Sequence, residues 1–212
     1  MLCSAPENPL FLKKIGKMKQ KIGKAILKLL GWKHRVPEEF KVKKAVMIGA
    51  PHTSNWDILY SIAGMWAAGY TPKFFIKKEW IDKPVIGGFL KWLGGIPVDR
   101  GKRNNLVQHS VDMLKQADEL VLLVPVEGTR KRVNAWKKGF YYIALDSGLP
   151  LLLAYLDYGK KEAGVGRMMY VSGDFEKDMT EIEDFYKDVT AKHPENYNPR
   201  IFKRTGEGEN KG

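Results

Sequence analysis

The sequence predicts an α/β domain with a mostly parallel or mixed sheet flanked by helices. Two apolar runs, residues 42–49 and 120–126, have the length and composition of buried strands. Segments with helical spacing alternate with these runs and with shorter apolar ones. Such alternation is typical of a sheet whose strands are mostly parallel. A length of 212 residues fits one domain with a hydrophobic core.

The elements can be assigned in order along the chain. A helix is expected within residues 11–30, followed by the strand at 42–49. The next helix, at 57–68, is expected to face the core with Ile58, Leu59, Ile62, Met65 and Trp66. The remaining predictions are a strand at 73–77, a helix at 84–93, a strand at 96–98, a helix at 104–116, the strand at 120–126, a helix at 136–146, strands at 151–156 and 167–171, and a last helix that begins at a capping box of Asp178 and Glu181 and ends near Ala191.

The first segment, residues 1–36, is dominated by a basic amphipathic helix. Between residues 8 and 37 there are eight lysines, one arginine and no acid. This segment therefore carries nine positive charges, while the net charge of the whole chain is +12. Apolar residues recur at steps of three and four from Phe11 to Leu30, and lysines fill the other positions. A helix of this kind typically lies in the interface of an anionic membrane. The alternative is that its apolar stripe packs on its own domain.

Residues 37–203 are expected to form the main domain, and residues 204–212 a disordered tail. The tail contains almost no apolar residue that could anchor it. The single cysteine, Cys3, excludes a disulfide within the chain and is consistent with a reducing compartment. No apolar run approaches the length of about eighteen residues that indicates a membrane span.

Two short motifs follow the predicted strands at 42–49 and 120–126. Pro51-His52-Thr53-Ser54-Asn55-Trp56-Asp57 comes after the first, and Glu127-Gly128-Thr129-Arg130 after the second. The carboxyl ends of parallel strands are where α/β folds place their chemistry. His52 is expected to act as a general base, with Asp57 holding its other ring nitrogen.

The spacing of His52 and Asp57 sets a condition on this pairing. Residues five apart do not share a face of a regular helix, so His52 must lie in the turn before the helix and Asp57 in its first turn. The alternative is that His52 bonds to backbone and Asp57 only complements the helix dipole. Arg100 and Arg130 are candidate anion ligands, because a guanidinium binds phosphate in a bidentate manner.

The order of these segments resembles that of the glycerolipid acyltransferases, the family that includes bacterial 1-acylglycerol-3-phosphate acyltransferase. The resemblance covers residues 42–156 and rests on four blocks: His52 to Asp57, Gly94 to Arg100, Glu127 to Arg130, and Gly148 to Leu153. Two positions depart from the family pattern. Val126 separates Pro125 from the glutamate, and Ala154-Tyr155 stands where a second proline is usual. These departures concern backbone geometry and the choice of acceptor more than the reaction.

The resemblance implies an O-acyltransferase of phospholipid biosynthesis, peripheral to the cytoplasmic face of a membrane. It assigns the phosphate of the acceptor to Arg100 and Arg130, with Glu127 and Gly128 shaping the pocket. Thr129 is also expected to bind substrate, because backbone amides of the turn from Glu127 to Thr129 are candidate donors to the oxyanion. The expected acceptor is 1-acylglycerol-3-phosphate, which gives phosphatidic acid. A lyso-aminolipid such as lyso-ornithine lipid is the alternative. The acyl donor is expected to be acyl-CoA or acyl-carrier protein, with no bound cofactor and no metal.

The rival class is a nonenzymatic basic protein that binds nucleic acid or a membrane. Most of the charge lies before residue 37 and no recognition motif is present, which argues against a nucleic-acid surface. A phosphate-transfer or hydrolytic enzyme is a third possibility. The sequence lacks the glycine-rich phosphate loop and the carboxylate cluster that such an enzyme would need.

Overall fold

The computed structural model describes residues 9–98 and 106–204, with side chains from residue 14 onward. Cys3, the side chain of Phe11 and the tail from residue 205 therefore lie outside the described part of the chain. The helices and strands are, in chain order, α1 (Pro9–Leu29), β1 (Lys33–Arg35), β2 (Lys44–Ala50), α2 (Trp56–Ala67), β3 (Phe74–Lys77), α3 (Lys78–Ile81), α4 (Ile86–Leu93), β4 (Gly95–Val98), α5 (Leu106–Gln116), β5 (Leu120–Val124), α6 (Gly139–Ser147), β6 (Leu151–Asp157), β7 (Glu162–Met169) and α7 (Phe175–Tyr186).

Five strands form the central sheet, in the order β1-β7-β6-β2-β5. Strand β2 pairs in parallel with both β5 and β6, β1 pairs in parallel with β7, and β6 and β7 are antiparallel. Strands β3 and β4 form a separate parallel pair, connected to β5 through a bridge between Lys73 and Leu122. The predicted mixed, mostly parallel sheet flanked by helices is confirmed.

Helices cover both faces of the central strands. On one face, Val46 and Ile48 of β2 lie in a buried cluster with Phe140 of α6. On the other face, Met47 packs with Met65 of α2. A strand that is covered on both faces needs an apolar residue at every position. This explains why residues 45–48 of β2 are all apolar rather than alternating with polar residues.

Helix α1 runs along α2 in the opposite direction. The Gln20 side chain donates a hydrogen bond to the carbonyl of Ala67, near the end of α2. Trp32, just beyond the end of α1, stacks on Tyr60 near the start of α2. The carboxyl end of α1 therefore lies towards the edge of the sheet from which α2 begins.

The crossing of α1 and α2 depends on a glycine. A Cβ built at Gly23 would lie 2.5 Å from the carbonyl oxygen of Ala63, so a larger residue would push the helices apart. One turn earlier, Lys19 is buried, donates to the carbonyl of Trp92 and lies over the Trp66 ring. A lysine and a glycine therefore form part of the packed face, which the apolar periodicity of the sequence does not predict.

The other side of α1 stays exposed. Met18 and Leu29 are 45% and 86% exposed, and lysines such as Lys21 and Lys28 lie beside them. Helix α1 thus packs on its own domain and still presents part of its apolar stripe to the surroundings. Among the residues that the structure describes, no helix has both the length and the hydropathy that crossing a bilayer would require.

Several boundaries differ from the prediction. The helix expected at 136–146 begins at Gly139, the strand expected to reach residue 126 ends at Val124, and the strand expected at 167–171 is β7, which begins at Glu162. Strand β1 and helix α3 were not predicted. These segments have three and four residues, too few for a periodic pattern.

Two side-chain predictions were wrong. Ile58 and Leu59 were expected to face the core but are 51% and 37% exposed. The capping box of Asp178 and Glu181 is not formed, because α7 is capped by Asp174, whose carboxylate accepts from the N–H of Lys177. Asp178 is instead buried and accepts hydrogen bonds from the hydroxyls of Tyr141 and Ser172.

Candidate active site

The carboxyl ends of β2 and β5 bring the two motifs together. Ile48 of β2 lies beside Val124 of β5 in the parallel register. His52 and Glu127 follow these residues by four and three positions, so both turns leave the same edge of the sheet. The backbone N–H of His52 donates to Oε2 of Glu127 at 2.9 Å.

His52 and Asp57 form the pair that the sequence predicts. His52 lies in the turn before α2, and Asp57 is the second residue of that helix. Nδ1 of His52 is 3.2 Å from Oδ2 of Asp57. The histidine side chain is 35% exposed and the aspartate side chain 2% exposed. With Nδ1 facing Asp57, Nε2 is the ring nitrogen left for a substrate.

The Asp57 carboxylate is held in its charged form. Burial alone would raise its pKa, but hydrogen bonds from His52, Tyr158 and the N–H groups of Ser54 and Thr53 outweigh burial, so the pKa lies below the ordinary value. The two amides lie 2.7 and 2.8 Å from Oδ2. The turn thus folds back onto the carboxylate, which keeps an anion beside the imidazole.

Glu127 belongs to the inside of the site. Its side chain is buried, and its Oε2 accepts the hydrogen bond from the backbone of His52. Burial raises the pKa of Glu127 to about 7, although the hydrogen bond and the charge of His52 oppose this rise. Glu127 therefore connects the two motifs and exchanges a proton near neutral pH.

The rest of the second motif is exposed. Gly128 has a φ of +70°, and the Nζ of Lys137 lies directly over it. Thr129 and Arg130 are both exposed, and the Arg130 guanidinium donates to the side-chain oxygen of Asn55. This contact places a cation beside the first motif, within the same cavity lining as His52.

Arg100 lies outside the described residues. Strand β4, which precedes it, ends at Val98 and runs parallel to β3. Strand β3 is in turn parallel to β5 through the bridge of Lys73 and Leu122. The chain therefore reaches residue 98 at the same edge of the fold as the two motifs.

A cavity of about 620 Å³ opens beside the His52–Asp57 pair. Its polar end contains His52, Asp57, Glu127 and Arg130. The remaining wall is largely apolar and lies between α2 and the sheet, with contributions from Ile62, Met65, Tyr70, Phe75, Leu123, Ala154 and Val165. Its volume is within the usual range of small-molecule sites. Within residues 9–98 and 106–204, no group of three or more His, Cys, Asp or Glu is arranged to hold a metal ion.

Two residues of the site were not predicted from the sequence. Asn55 lies inside the first motif, and its side-chain oxygen accepts from the Arg130 guanidinium. Tyr158 follows strand β6, and its hydroxyl donates to Oδ1 of Asp57 at 2.6 Å. Strand β6 is parallel to β2. The position of Tyr158 after a third parallel strand was therefore the signal that could have identified it.

The chain also matches a known protein family. The profile of the family described as Acyltransferase matches residues 32–155, a span that contains both motifs and more than half of the chain. The chain belongs to this family, and the resemblance drawn from the four sequence blocks is confirmed.

Two similar proteins are both acyltransferases that act on 1-acylglycerol-3-phosphate by name. The 1-acyl-sn-glycerol-3-phosphate acyltransferase of Limnanthes alba is 30% identical over 133 residues, which is 58% of this chain and 46% of that protein. The chain thus spans less than half the length of this curated relative. The 1-acyl-sn-glycerophosphate (LPA) acyltransferase PlsC of Thermotoga maritima has the same fold, with a TM-score of 0.61 and 20% identity over 82% of this chain and 78% of that chain.

Proposed function

We propose that the protein is an O-acyltransferase that moves a fatty acyl group from an acyl thioester to the hydroxyl of a lysolipid. The proposed acceptor is 1-acylglycerol-3-phosphate, and the product is phosphatidic acid. The observation that carries this proposal is the His52–Asp57 pair at 3.2 Å, placed between a cation and an apolar cavity. The names of the two relatives support the same acceptor.

The proposed chemistry uses the free nitrogen of His52. Nε2 removes the proton of the acceptor hydroxyl as its oxygen attacks the thioester carbonyl. The tetrahedral intermediate then collapses, the C–S bond breaks, and the thiol leaves with the proton from the imidazolium. Asp57 stabilises that imidazolium from the Nδ1 side. The donor is acyl-CoA or acyl-carrier protein.

The second motif supplies the proposed recognition of the acceptor. Arg130 is exposed at the mouth of the cavity, and its guanidinium is suited to a phosphate. The positive φ of Gly128 turns the chain so that Thr129 and Arg130 follow the rim. Glu127 shapes the floor through its bond to His52. Arg100 remains a proposed second phosphate ligand.

The apolar part of the cavity is the proposed site of an acyl chain. Its wall is formed by side chains of α2 and the central strands, which the rest of the fold keeps away from water. Each methylene buried in such a wall contributes about 0.8 kcal/mol. His52 lines the same cavity, so the proposed binding mode has the carboxyl carbon of the chain next to the base.

We further propose that the protein is peripheral to the cytoplasmic face of an anionic membrane, where both substrates meet. Helices α2 and α4 both begin at the edge of the sheet that carries the site. Exposed apolar side chains are concentrated near these starts: Trp56, Ile58, Leu59, Trp80, Val85 and Ile86. The exposed lysines at positions 77, 78 and 83 lie among them. Apolar and basic side chains around the mouth of the cavity suit an anionic bilayer.

A panel of acceptors tests the function. Purified protein is given a fixed acyl-CoA or acyl-carrier protein, with 1-acylglycerol-3-phosphate, lyso-ornithine lipid, monoacylglycerol or no acceptor. Thiol release and the lipid product are measured together. We expect release that depends on 1-acylglycerol-3-phosphate and matches phosphatidic acid formed. Release that is independent of acceptor, or no release at all, would overturn the proposal, and a preference for lyso-ornithine lipid would replace its acceptor.

A further inference from the structure

The two oxygens of the Asp57 carboxylate have different partners. Oδ2 accepts from the N–H groups of Thr53 and Ser54 and faces the imidazole of His52. Oδ1 accepts from the hydroxyl of Tyr158 at 2.6 Å. A carboxylate turns easily about its last torsion, which has a broad two-fold profile. The partner of Oδ1 therefore helps to decide whether Oδ2 stays directed at the imidazole.

The Tyr158 ring is itself held in place. The Trp32 ring meets it edge-on at 4.9 Å, and the Tyr60 ring at 5.8 Å. The backbone N–H of Tyr158 donates to the carbonyl of Thr190. Burial and the hydrogen bond to Asp57 raise the pKa of the Tyr158 phenol well above its ordinary value, so the hydroxyl remains a donor throughout the range of an enzyme assay.

We infer that Tyr158 is a positioning residue, which orients the Asp57 carboxylate so that it can serve His52. The inference rests on the proposed function, since it gives Tyr158 a part in the same acyl transfer. Tyr158 is not among the described residues that line the cavity. Its contact with the site is the hydrogen bond to Asp57, and the inferred role is exerted through that carboxylate.

A purely structural role is the competing explanation, because a half-buried tyrosine commonly finds any available acceptor for its hydroxyl. Two observations favour the positioning role. The acceptor is an anion only 2% exposed, and the contact joins residues 101 positions apart in the chain. The hydrogen bond also stabilises the ionised form of Asp57, because the hydroxyl of Tyr158 is one of the groups that lower the pKa of that carboxylate. A structural contact elsewhere in the fold would not change the basicity of the His52 partner.

The test is Tyr158→Phe in the full chain, which removes the hydroxyl and keeps the ring. We expect kcat to fall about tenfold, the lower end of the cost of losing a hydrogen bond to a charged group, while both KM values stay within about twofold. The acid limb of the pH–rate profile should move to higher pH. Without the Tyr158 bond the pKa of Asp57 rises, and a more basic carboxylate holds the imidazolium proton more tightly.

Tyr60→Phe is the matched control. Tyr60 stacks in the same aromatic cluster and is not among the described donors to Asp57. It should leave kcat and the acid limb unchanged. A Tyr158→Phe enzyme with wild-type kcat and profile would overturn the inference and leave the proposed function standing. A lower melting temperature with an unmoved acid limb would assign Tyr158 a structural role and also overturn it. Absence of acyl transfer in the wild-type protein would instead overturn the proposed function.

Discussion

The two motif turns are built differently although they lie side by side. In the first, Thr53, Ser54 and Asp57 are buried, and the carboxylate is surrounded by donors. In the second, only Glu127 is buried, while the residues from Gly128 to Arg130 are exposed. The described contact of the Arg130 guanidinium is a single exposed side chain, Asn55.

This difference separates two tasks. A base must be held within tenths of an ångström of one geometry, and buried hydrogen bonds provide that rigidity. A head group has to enter and leave, and an exposed guanidinium can follow it. We therefore expect changes in the first turn to act on kcat and changes in the exposed part of the second turn to act on the KM of the acceptor.

The largest effect is expected from His52→Ala. Loss of the general base should lower kcat roughly a hundred- to ten-thousand-fold. The melting temperature should change little, because the side chain is 35% exposed. Thiol release and thermal unfolding measure the two outcomes. His34→Ala, at an exposed position on β1, is the control. An enzyme without His52 that kept more than half of its activity would exclude this residue as the base.

Glu127→Gln tests whether the glutamate belongs with the buried turn. Its pKa is raised in the folded protein from an ordinary 4.5 to about 7. The stability it contributes is therefore fully present below pH 4.5 and is lost as the pH rises through about 7. That loss amounts to about 3 kcal/mol, or roughly three-hundredfold in the unfolding equilibrium constant, and should be absent from the variant.

The measurement is chemical denaturation of both proteins across this pH range. Glu119→Gln, at an exposed residue, is the control and should follow the wild type. Parallel pH curves for the wild type and Glu127→Gln would show that this carboxyl does not titrate as the structure indicates.

Arg130→Ala tests the exposed part of the second turn. Charge-assisted bonds to a phosphate are worth roughly 1.5–3 kcal/mol, so the KM for 1-acylglycerol-3-phosphate should rise about ten- to a hundredfold. The kcat should change much less. Arg132→Ala removes the same charge two residues further on, at another exposed position, and should have a smaller effect. If the KM for monoacylglycerol rose as much as the KM for the phosphate-bearing acceptor, Arg130 would not bind the phosphate.

The smallest effect is expected outside both turns, on the exposed side of α1. Lys21→Gln removes one exposed cation, and each such cation contributes about 1 kcal/mol to binding at an anionic surface, or roughly fivefold. Co-sedimentation with anionic and neutral vesicles measures the change, which raised salt should diminish. Lys115→Gln on α5 is the control. If both variants lost the same amount of vesicle binding, α1 would not be the part of the protein that contacts the membrane. Deletion of the whole helix is less informative, because it would uncover α2.

Local patterns predicted six of the seven strands that the structure describes, both turns and the pairing of His52 with Asp57. These features depend on runs of fewer than ten residues, where apolar content and turn residues determine the structure. The exposure of Ile58 could not be predicted in this way, because helical spacing does not show which faces of α2 are covered by neighbours. Similarly, the predicted cap at Asp178 was wrong because a buried contact with Tyr141 uses that carboxylate.

The contacts that complete the site join distant parts of the chain. The bond between His52 and Glu127 spans 75 residues, and the bond between Asp57 and Tyr158 spans 101. Only the parallel register of β2 with β5 and β6 brings them together. The side of α1 that packs on the domain could not be predicted for a related reason. It is determined by contacts with distant residues, namely the hydrogen bond from Lys19 to the carbonyl of Trp92 and the close approach of Gly23 to Ala63.

The glycine at the crossing of α1 and α2 also affects which positions of α1 can tolerate substitution. At Gly23 the helices approach closely, because a Cβ there would lie 2.5 Å from the carbonyl oxygen of Ala63. The exposed positions of α1, such as Lys21 and Leu29, take no part in it. Substitutions can therefore accumulate on the outer side of this helix while Trp32 keeps its place against Tyr158. On the proposed membrane, the attraction to lipid could be adjusted to a different bilayer charge without disturbing the geometry at His52.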